Sequence, residues 1–132
     1  MNAINFHHYG LAVKHLSASV KFHERLGYHC SEPLIDPIQN VELVFCELES
    51  YPSVELVKPI NEISPINGYV KKNKAIVYHI CYEIGKPESV STIFKDNKVL
   101  WESRPQPAIL FNNRLVSFHF VDNLGLIEIL QK

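Results

Sequence analysis

His8-Tyr9-Gly10-Leu11-Ala12-Val13 has a counterpart later in the chain, His79-Ile80-Cys81-Tyr82-Glu83-Ile84. Each stretch opens on a histidine and runs into an apolar segment of strand length. Each is answered downstream by a glutamate inside a second apolar run, Val54-Glu55-Leu56-Val57 for the first and Ile127-Glu128-Ile129-Leu130 for the second. The intervals nearly coincide: 47 positions separate His8 from Glu55 (55 − 8) and 49 separate His79 from Glu128 (128 − 79). A duplicated module that supplies histidine and carboxylate in matched pairs makes a metal site the leading idea.

Working outward, the order of elements repeats as well. Asn5 to Val13 reads as a strand. Leu16 to Leu26 has helical spacing through Leu16, Val20, Phe22 and Leu26, with Ser17 to cap it and Gly27 to end it. Val41–Leu48 and Val54–Lys58 follow as strands divided by Tyr51-Pro52-Ser53, with one more strand expected near Cys30 to Ile35. Module one, about 4–60, is therefore β-α-β-β. A linker of turn formers, about 61–75, contains Pro65, Asn67 and Gly68. Module two, about 76–132, restarts with a strand at Val77–Ile84 and a helix at Pro87–Lys95, where Pro87 suits the first turn. Strands are expected at Ile109–Phe111, Leu115–Phe120 and Leu126–Leu130, with turns at Asn112-Asn113 and Asp122-Asn123. The class is α+β, in one domain covering residues 1–132.

The bulk numbers agree with that size. The chain has 132 residues, 46% hydrophobic and 20% charged, enough for one globular core. A net charge of −1 gives no general attraction to nucleic acid or to a membrane surface. No apolar run approaches the ~20 residues of a spanning helix, and the N-terminus has no signal-peptide layout. Cys30, Cys46 and Cys81 are an odd, scattered set; Cys46 and Cys81 sit in apolar runs as small buried hydrophobes, and a reduced cytoplasmic setting is expected.

A carboxylate in a strand covered on both faces is costly unless it is paired or coordinated. One such glutamate alone would be read as bonded to a backbone amide or a lysine. Finding two, each behind a strand histidine, reverses that preference. Imidazole nitrogen with carboxylate oxygen suits Zn, Co, Ni, Mn or Fe. A structural zinc would be closed and cysteine-rich, and a non-haem iron oxygenase uses one carboxylate rather than two. His8, Glu55, His79 and Glu128 on one Co, Ni, Zn or Mn ion would instead leave positions open for Lewis-acid catalysis. Strand alternation sends His7 away from His8. His15, His23 and His29 are expected in solvent, and His119 in a core or supporting role.

The residues His8-Tyr9-Gly10-Leu11-Ala12-Val13, followed by a helix ending in Arg25-Leu26-Gly27-Tyr28, resemble the vicinal oxygen chelate (glyoxalase/bleomycin resistance/dioxygenase) superfamily. Val54-Glu55-Leu56-Val57-Lys58-Pro59, Ser64-Pro65-Ile66-Asn67-Gly68-Tyr69-Val70, Lys72-Asn73-Lys74-Ala75 and His79-Ile80-Cys81 are similar, within it, to the methylmalonyl-CoA epimerase family. The resemblance implies two tandem βαβββ modules forming a cupped mixed sheet around one divalent ion, in a homodimer. It places the metal ligands on the same four residues that the spacing selects. It further implies that Glu128 doubles as an acid/base, with a first-module carboxylate opposite it. Glu42 is the nearest match for that second group and Glu47 a rival.

The implied reaction is removal and return of the α-proton of an acyl-CoA thioester through a metal-stabilised enolate. Lys71, Lys72 and Lys74 could meet coenzyme A phosphates, or simply form a solvated basic loop. Two departures leave the acyl group open: Val121-Asp122-Asn123-Leu124-Gly125 replaces a proline-containing turn, and Arg104-Pro105-Gln106-Pro107-Ala108-Ile109 has no glycine-rich loop. A glyoxalase I type lyase is one alternative, disfavoured because Lys14 stands nearest where that family has a first-strand arginine. A metal-free protein that sequesters drugs or small ligands is another, disfavoured because it has no need of four intact ligands.

Overall fold

Most short apolar runs separated by turn formers become strands in the computed structural model, which describes residues 4–85 and 89–132. The order is β1 (Ile4–Val13), α1 (Leu16–Arg25), β2 (His29–Cys30), β3 (Leu34–Asp36), β4 (Val41–Glu47), β5 (Ser53–Pro59) and α2 (Asn67–Asn73). It continues through β6 (Ala75–Ile84), α3 (Ser89–Ile93), β7 (Val99–Glu102), β8 (Gln106–Ala108), a 3-10 turn (Ile109–Phe111), β9 (Arg114–Val121) and β10 (Gly125–Gln131). The class is α+β. Two compact units divide the chain: one is His8–Tyr78, and the other joins residues 4–7 to His79–Lys132. The division runs through β1 and β6 rather than through the stretch at 61–75.

In the His8–Tyr78 unit the strand order is β2-β4-β5-β1, with β3 also on β4. β1 and β5 are parallel, whereas β4 is antiparallel to β5, β2 and β3. Directly paired residues share a face. Tyr9, Leu11 and Val13 therefore lie with Val54, Leu56, Val44 and Cys46, and this is the face that α1 covers through Leu16 and Val20. The helix ends as expected. Gly27 takes φ +104°, Tyr28 N–H donates to the His23 carbonyl and Gly27 N–H to the Glu24 carbonyl, both at 3.0 Å.

Its other details differ from expectation. His15, not Ser17, is the N-cap, and it makes no side-chain cap bond. Phe22 is 55% exposed, while His23 is buried with its Nδ1 2.7 Å from the Ser19 carbonyl. The inward stripe is Leu16, Val20 and His23, the i, i+4, i+7 positions, so Phe22 misses it by one residue. The stretch at 61–75 carries its own contacts. Buried Ser64 Oγ accepts from Ile60 N–H at 2.9 Å and donates to the Asn40 carbonyl, and α2 follows directly.

The second unit has the strand order β6-β10-β9-β7, with β8 on β9. β6 and β10 are parallel and the remaining pairs antiparallel. Ile84, Val121, Ile127 and Ile129 pack on one face with Phe94 and with Val90 and Ile93 of α3. Cys81, Val116, Leu130 and Ala108 form a second cluster with Phe111. α3 ends at Ile93 and not at the expected Lys95, and Pro87 lies outside the described residues. Ile109–Phe111 is a 3-10 turn, not a strand, and it leads into Asn112 and Asn113 at φ 55° and 63°. β7 and β8 were not expected: β7 is exposed at all four residues, which removes the alternation that marks a strand.

Candidate metal centre

In the His8–Tyr78 unit, Gly10 of β1 faces Glu55 of β5 across the parallel ladder. His8, two residues earlier, projects from the same face. Its Nε2 lies 3.8 Å from Glu55 Oε1, and the two side chains are 0% and 6% exposed. On the other side of Glu55 stands Phe45 of β4, its direct partner in the antiparallel ladder. The His8 ring meets Phe45 edge to face, with centroids 5.6 Å apart and planes at 87°.

The second unit repeats each of these relations. Cys81 of β6 faces Glu128 of β10, so His79 again lies two residues before the residue opposite the glutamate. His79 Nε2 is 3.2 Å from Glu128 Oε1, with side chains 0% and 2% exposed. Phe118 of β9 is the direct partner of Glu128, and the His79 ring meets it edge to face at 5.7 Å and 82°. The duplication seen as a spacing in the chain is thus a shared register in space. The phenylalanines were not singled out in the sequence, where nothing separates them from other core aromatics.

The donor chemistry suits a divalent ion. Two donors each about 2.1 Å from one ion stand about 3.0 Å apart at a right angle and about 3.4 Å apart at the tetrahedral angle. The His79–Glu128 separation falls between these values. The His8–Glu55 separation is wider, and closing it takes a shift of roughly half an ångström at the end of a carboxylate with two or more rotatable bonds. Each pair is therefore a fit pair of donors for a divalent ion.

Other candidates fall elsewhere. Glu42 is opposite Lys58 and shares the α1-side face with Val44 and Cys46, whereas Phe45 and Glu55 occupy the opposite face. Its side chain therefore leaves β4 on the side away from Glu55, because three residues of strand separate it from Phe45. Glu47, two residues after Phe45, is on Glu55's side and exposed. His7 belongs to the other unit and touches Phe111. His119 lies on the α3 side, buried, with Ser117 Oγ 2.8 Å from its Nε2, Glu102 Oε2 3.0 Å from its Nδ1 and Phe94 against its ring. Lys71, Lys72 and Lys74 are exposed, and Lys72 lines an open cavity of about 540 Å³ with Pro65, Gly68, Tyr69, Asn73 and Ile76.

A family model for the Glyoxalase/Bleomycin resistance protein/Dioxygenase superfamily matches residues 7–118. The chain is 35% identical over 79 residues to an ethylmalonyl-CoA/methylmalonyl-CoA epimerase of Cereibacter sphaeroides, covering 58% of each protein. It is 32% identical over 100 residues to the mitochondrial methylmalonyl-CoA epimerase of Homo sapiens, covering 74% of this chain and 56% of that one. It thus spans a little over half the length of these curated relatives. Among solved structures, methylmalonyl-CoA epimerase from Mycobacterium tuberculosis aligns with a TM-score of 0.79 at 16% identity, over 96% of this chain and 87% of that one. A Streptomyces coelicolor methylmalonyl-CoA epimerase variant in complex with 2-nitronate-propionyl-CoA aligns at 0.76 and 18%, over 97% and 96%. At such identities the structures speak for a shared fold.

Proposed function

Since the chain belongs to the glyoxalase/bleomycin resistance protein/dioxygenase superfamily, we propose that it is a metal-dependent epimerase acting on an acyl-CoA thioester such as methylmalonyl-CoA. The observation that carries this reading is the histidine–glutamate pair set twice in one register, in a chain whose curated relatives are named epimerases. In this reading His8, Glu55, His79 and Glu128, all buried, are the ligands of one divalent ion, with Co, Ni, Zn and Mn as candidates. Such an ion, when bound, supplies Lewis-acid stabilisation of the negative charge that grows on the thioester carbonyl oxygen.

The protein's own residues do the rest. His79 and Phe118 hold the Glu128 carboxylate in place, and Glu128 takes the α-proton. Return of a proton to the other face of the carbon requires a second acid. Of the two first-module glutamates, the ladder favours Glu47 over Glu42, because only Glu47 emerges on Glu55's side of β4. Lys72, which lines an open cavity together with Tyr69, suits a phosphate of coenzyme A. A homodimer in the cytoplasm completes the reading; among the described residues no helix is long and apolar enough to cross a membrane.

Proton exchange tests it. Incubating the metal-reconstituted protein with methylmalonyl-CoA in deuterated water should place deuterium at the α-carbon, and chelator treatment should stop it. No exchange by fully metal-loaded protein would overturn the substrate. Failure to retain any metal would favour a ligand-sequestering protein instead, and turnover of a glutathione hemithioacetal would favour a lyase.

A further inference from the structure

Away from the histidine–glutamate pairs, two of the three cysteines meet. Cys30 of β2 is directly opposite Cys46 of β4, and their Sγ atoms lie 2.9 Å apart. Ser31 N–H donates to the Phe45 carbonyl at 2.8 Å, immediately beside the pair. That bond makes Cys30 and Cys46 a non-hydrogen-bonded antiparallel pair, the position at which Cα atoms approach to about 4.5 Å and side chains come closest. A disulfide tolerates Cα separations of about 4.4–6.8 Å, so the backbone already stands where the bond needs it. The two residues also differ in burial. Cys46 is fully buried under α1 with Val44, Val54 and Leu56, whereas Cys30 is half-buried at the sheet edge.

We propose that Cys30 and Cys46 are an oxidisable dithiol, a redox-modification site that closes to a cross-strand disulfide when the protein meets a hydroperoxide. Cys30, the less buried of the two residues, attacks the peroxide oxygen and the O–O bond breaks. The departing hydroxide takes the thiol proton and leaves as water, with Cys30 as a sulfenic acid. Cys46 Sγ then attacks Cys30 Sγ, the S–O bond breaks, and hydroxide leaves with the Cys46 proton as a second water. Two thiols and one hydrogen peroxide give one disulfide and two waters; the sulfurs lose two electrons and the peroxide gains them. Burial, helped by the bond to Cys30, pushes the Cys46 thiol well up. It is the 2.9 Å contact with Cys30 that gives Cys46 the role of resolving partner, while its burial keeps bulk oxidant away. Cys81, buried in the other unit, is an internal control.

The test is thiol mapping of the full chain after a few molar equivalents of hydrogen peroxide. The protein should lose the mass of two hydrogens and two alkylatable thiols, yield a Cys30–Cys46 cross-linked peptide, leave Cys81 alkylatable and recover with dithiothreitol. In the Cys46→Ser variant, Cys30 should stop at a dimedone-reactive sulfenic acid. Peroxide consumption should fall at least roughly tenfold in Cys30→Ser, since the remaining thiols are buried. Wild-type protein in which Cys30 proceeds to sulfinic acid while Cys46 stays alkylatable would overturn the proposal. So would a disulfide found only between two chains. Mapping of the wild type decides the matter even if a variant fails to fold.

Discussion

Divalent ions should raise the melting temperature of the wild-type protein and leave an E55Q/E128Q double variant almost unmoved. A ligand that binds only the folded state adds RT ln(1 + [L]/Kd), about 4.1 kcal/mol at a thousandfold excess over Kd. With 132 residues and about 2.1 cal/mol/K of unfolding entropy per residue, the slope is about 0.28 kcal/mol/K near 60 °C. The expected rise is therefore about 15 °C. Glutamine keeps the volume of each buried glutamate and one acceptor oxygen but removes the charge that the ion needs. The comparison thus separates ligation from packing. The assay is differential scanning fluorimetry of chelator-treated protein titrated with Co, Ni, Zn and Mn salts, with calorimetry for stoichiometry. One ion per chain is expected. An equal shift in the double variant would refute the ligand assignment, and two ions per chain would mean that each histidine–glutamate pair binds its own.

Three further outcomes follow from the packing. Phe118→Leu should weaken metal binding about 10–100-fold by calorimetry, as loss of a group that orients a ligand typically does, because the edge contact that holds the His79 ring disappears. Glu83→Gln should cost about 1 kcal/mol at neutral pH, discounted because Arg114 is 30% exposed. The hydrogen bond from Arg114 holds Glu83 below its ordinary value of 4.5. That stability is therefore complete above the ordinary value and is lost as pH falls through the lowered one; denaturant melts at several pH values should converge for variant and wild type in acid. Gly27→Ala should lower the melting temperature by about 4–7 °C, from a left-handed backbone penalty of about 1–2 kcal/mol. Space is not the cause, since an added Cβ would meet only Leu48 Cδ1 at 3.7 Å.

Much of the site was readable because burial makes charge conspicuous. Glu55 and Glu128 stand in the runs Val54–Val57 and Ile127–Leu130, every residue of which is buried. Polar residues that break an apolar run announce themselves; apolar residues that serve a ligand do not, which is why Phe45 and Phe118 went unmarked. Glu42 shows a second limit. A one-residue error along a strand moves a side chain to the opposite face, and only the β4–β5 register resolves it. Elements with weak periodicity were the ones mistaken. The stretch with Asn67 and Gly68 reads as turn yet supports α2, and Ile109–Phe111 is apolar enough to suggest a strand yet coils into a 3-10 turn. Cys30 and Cys46 are sixteen positions apart with no motif between them, so their meeting depends wholly on how β2 pairs with β4.

The two histidine–glutamate pairs share a register but are not copies in detail, and the difference has a physical direction. The residue facing the glutamate is Gly10 in one unit and Cys81 in the other. A glycine leaves the face beside Glu55 without a side chain, whereas the buried Cys81 fills the corresponding place beside Glu128. The separations follow suit: 3.8 Å between His8 and Glu55, 3.2 Å between His79 and Glu128. Looser packing on one side and tighter packing on the other suits two carboxylates with unequal tasks. A group that both ligates and moves a proton has to be held within a few tenths of an ångström of its working position. In the proposed reaction that requirement points to Glu128, flanked in the ladder by Cys81 and Phe118, for proton transfer, and to Glu55 for ligation alone.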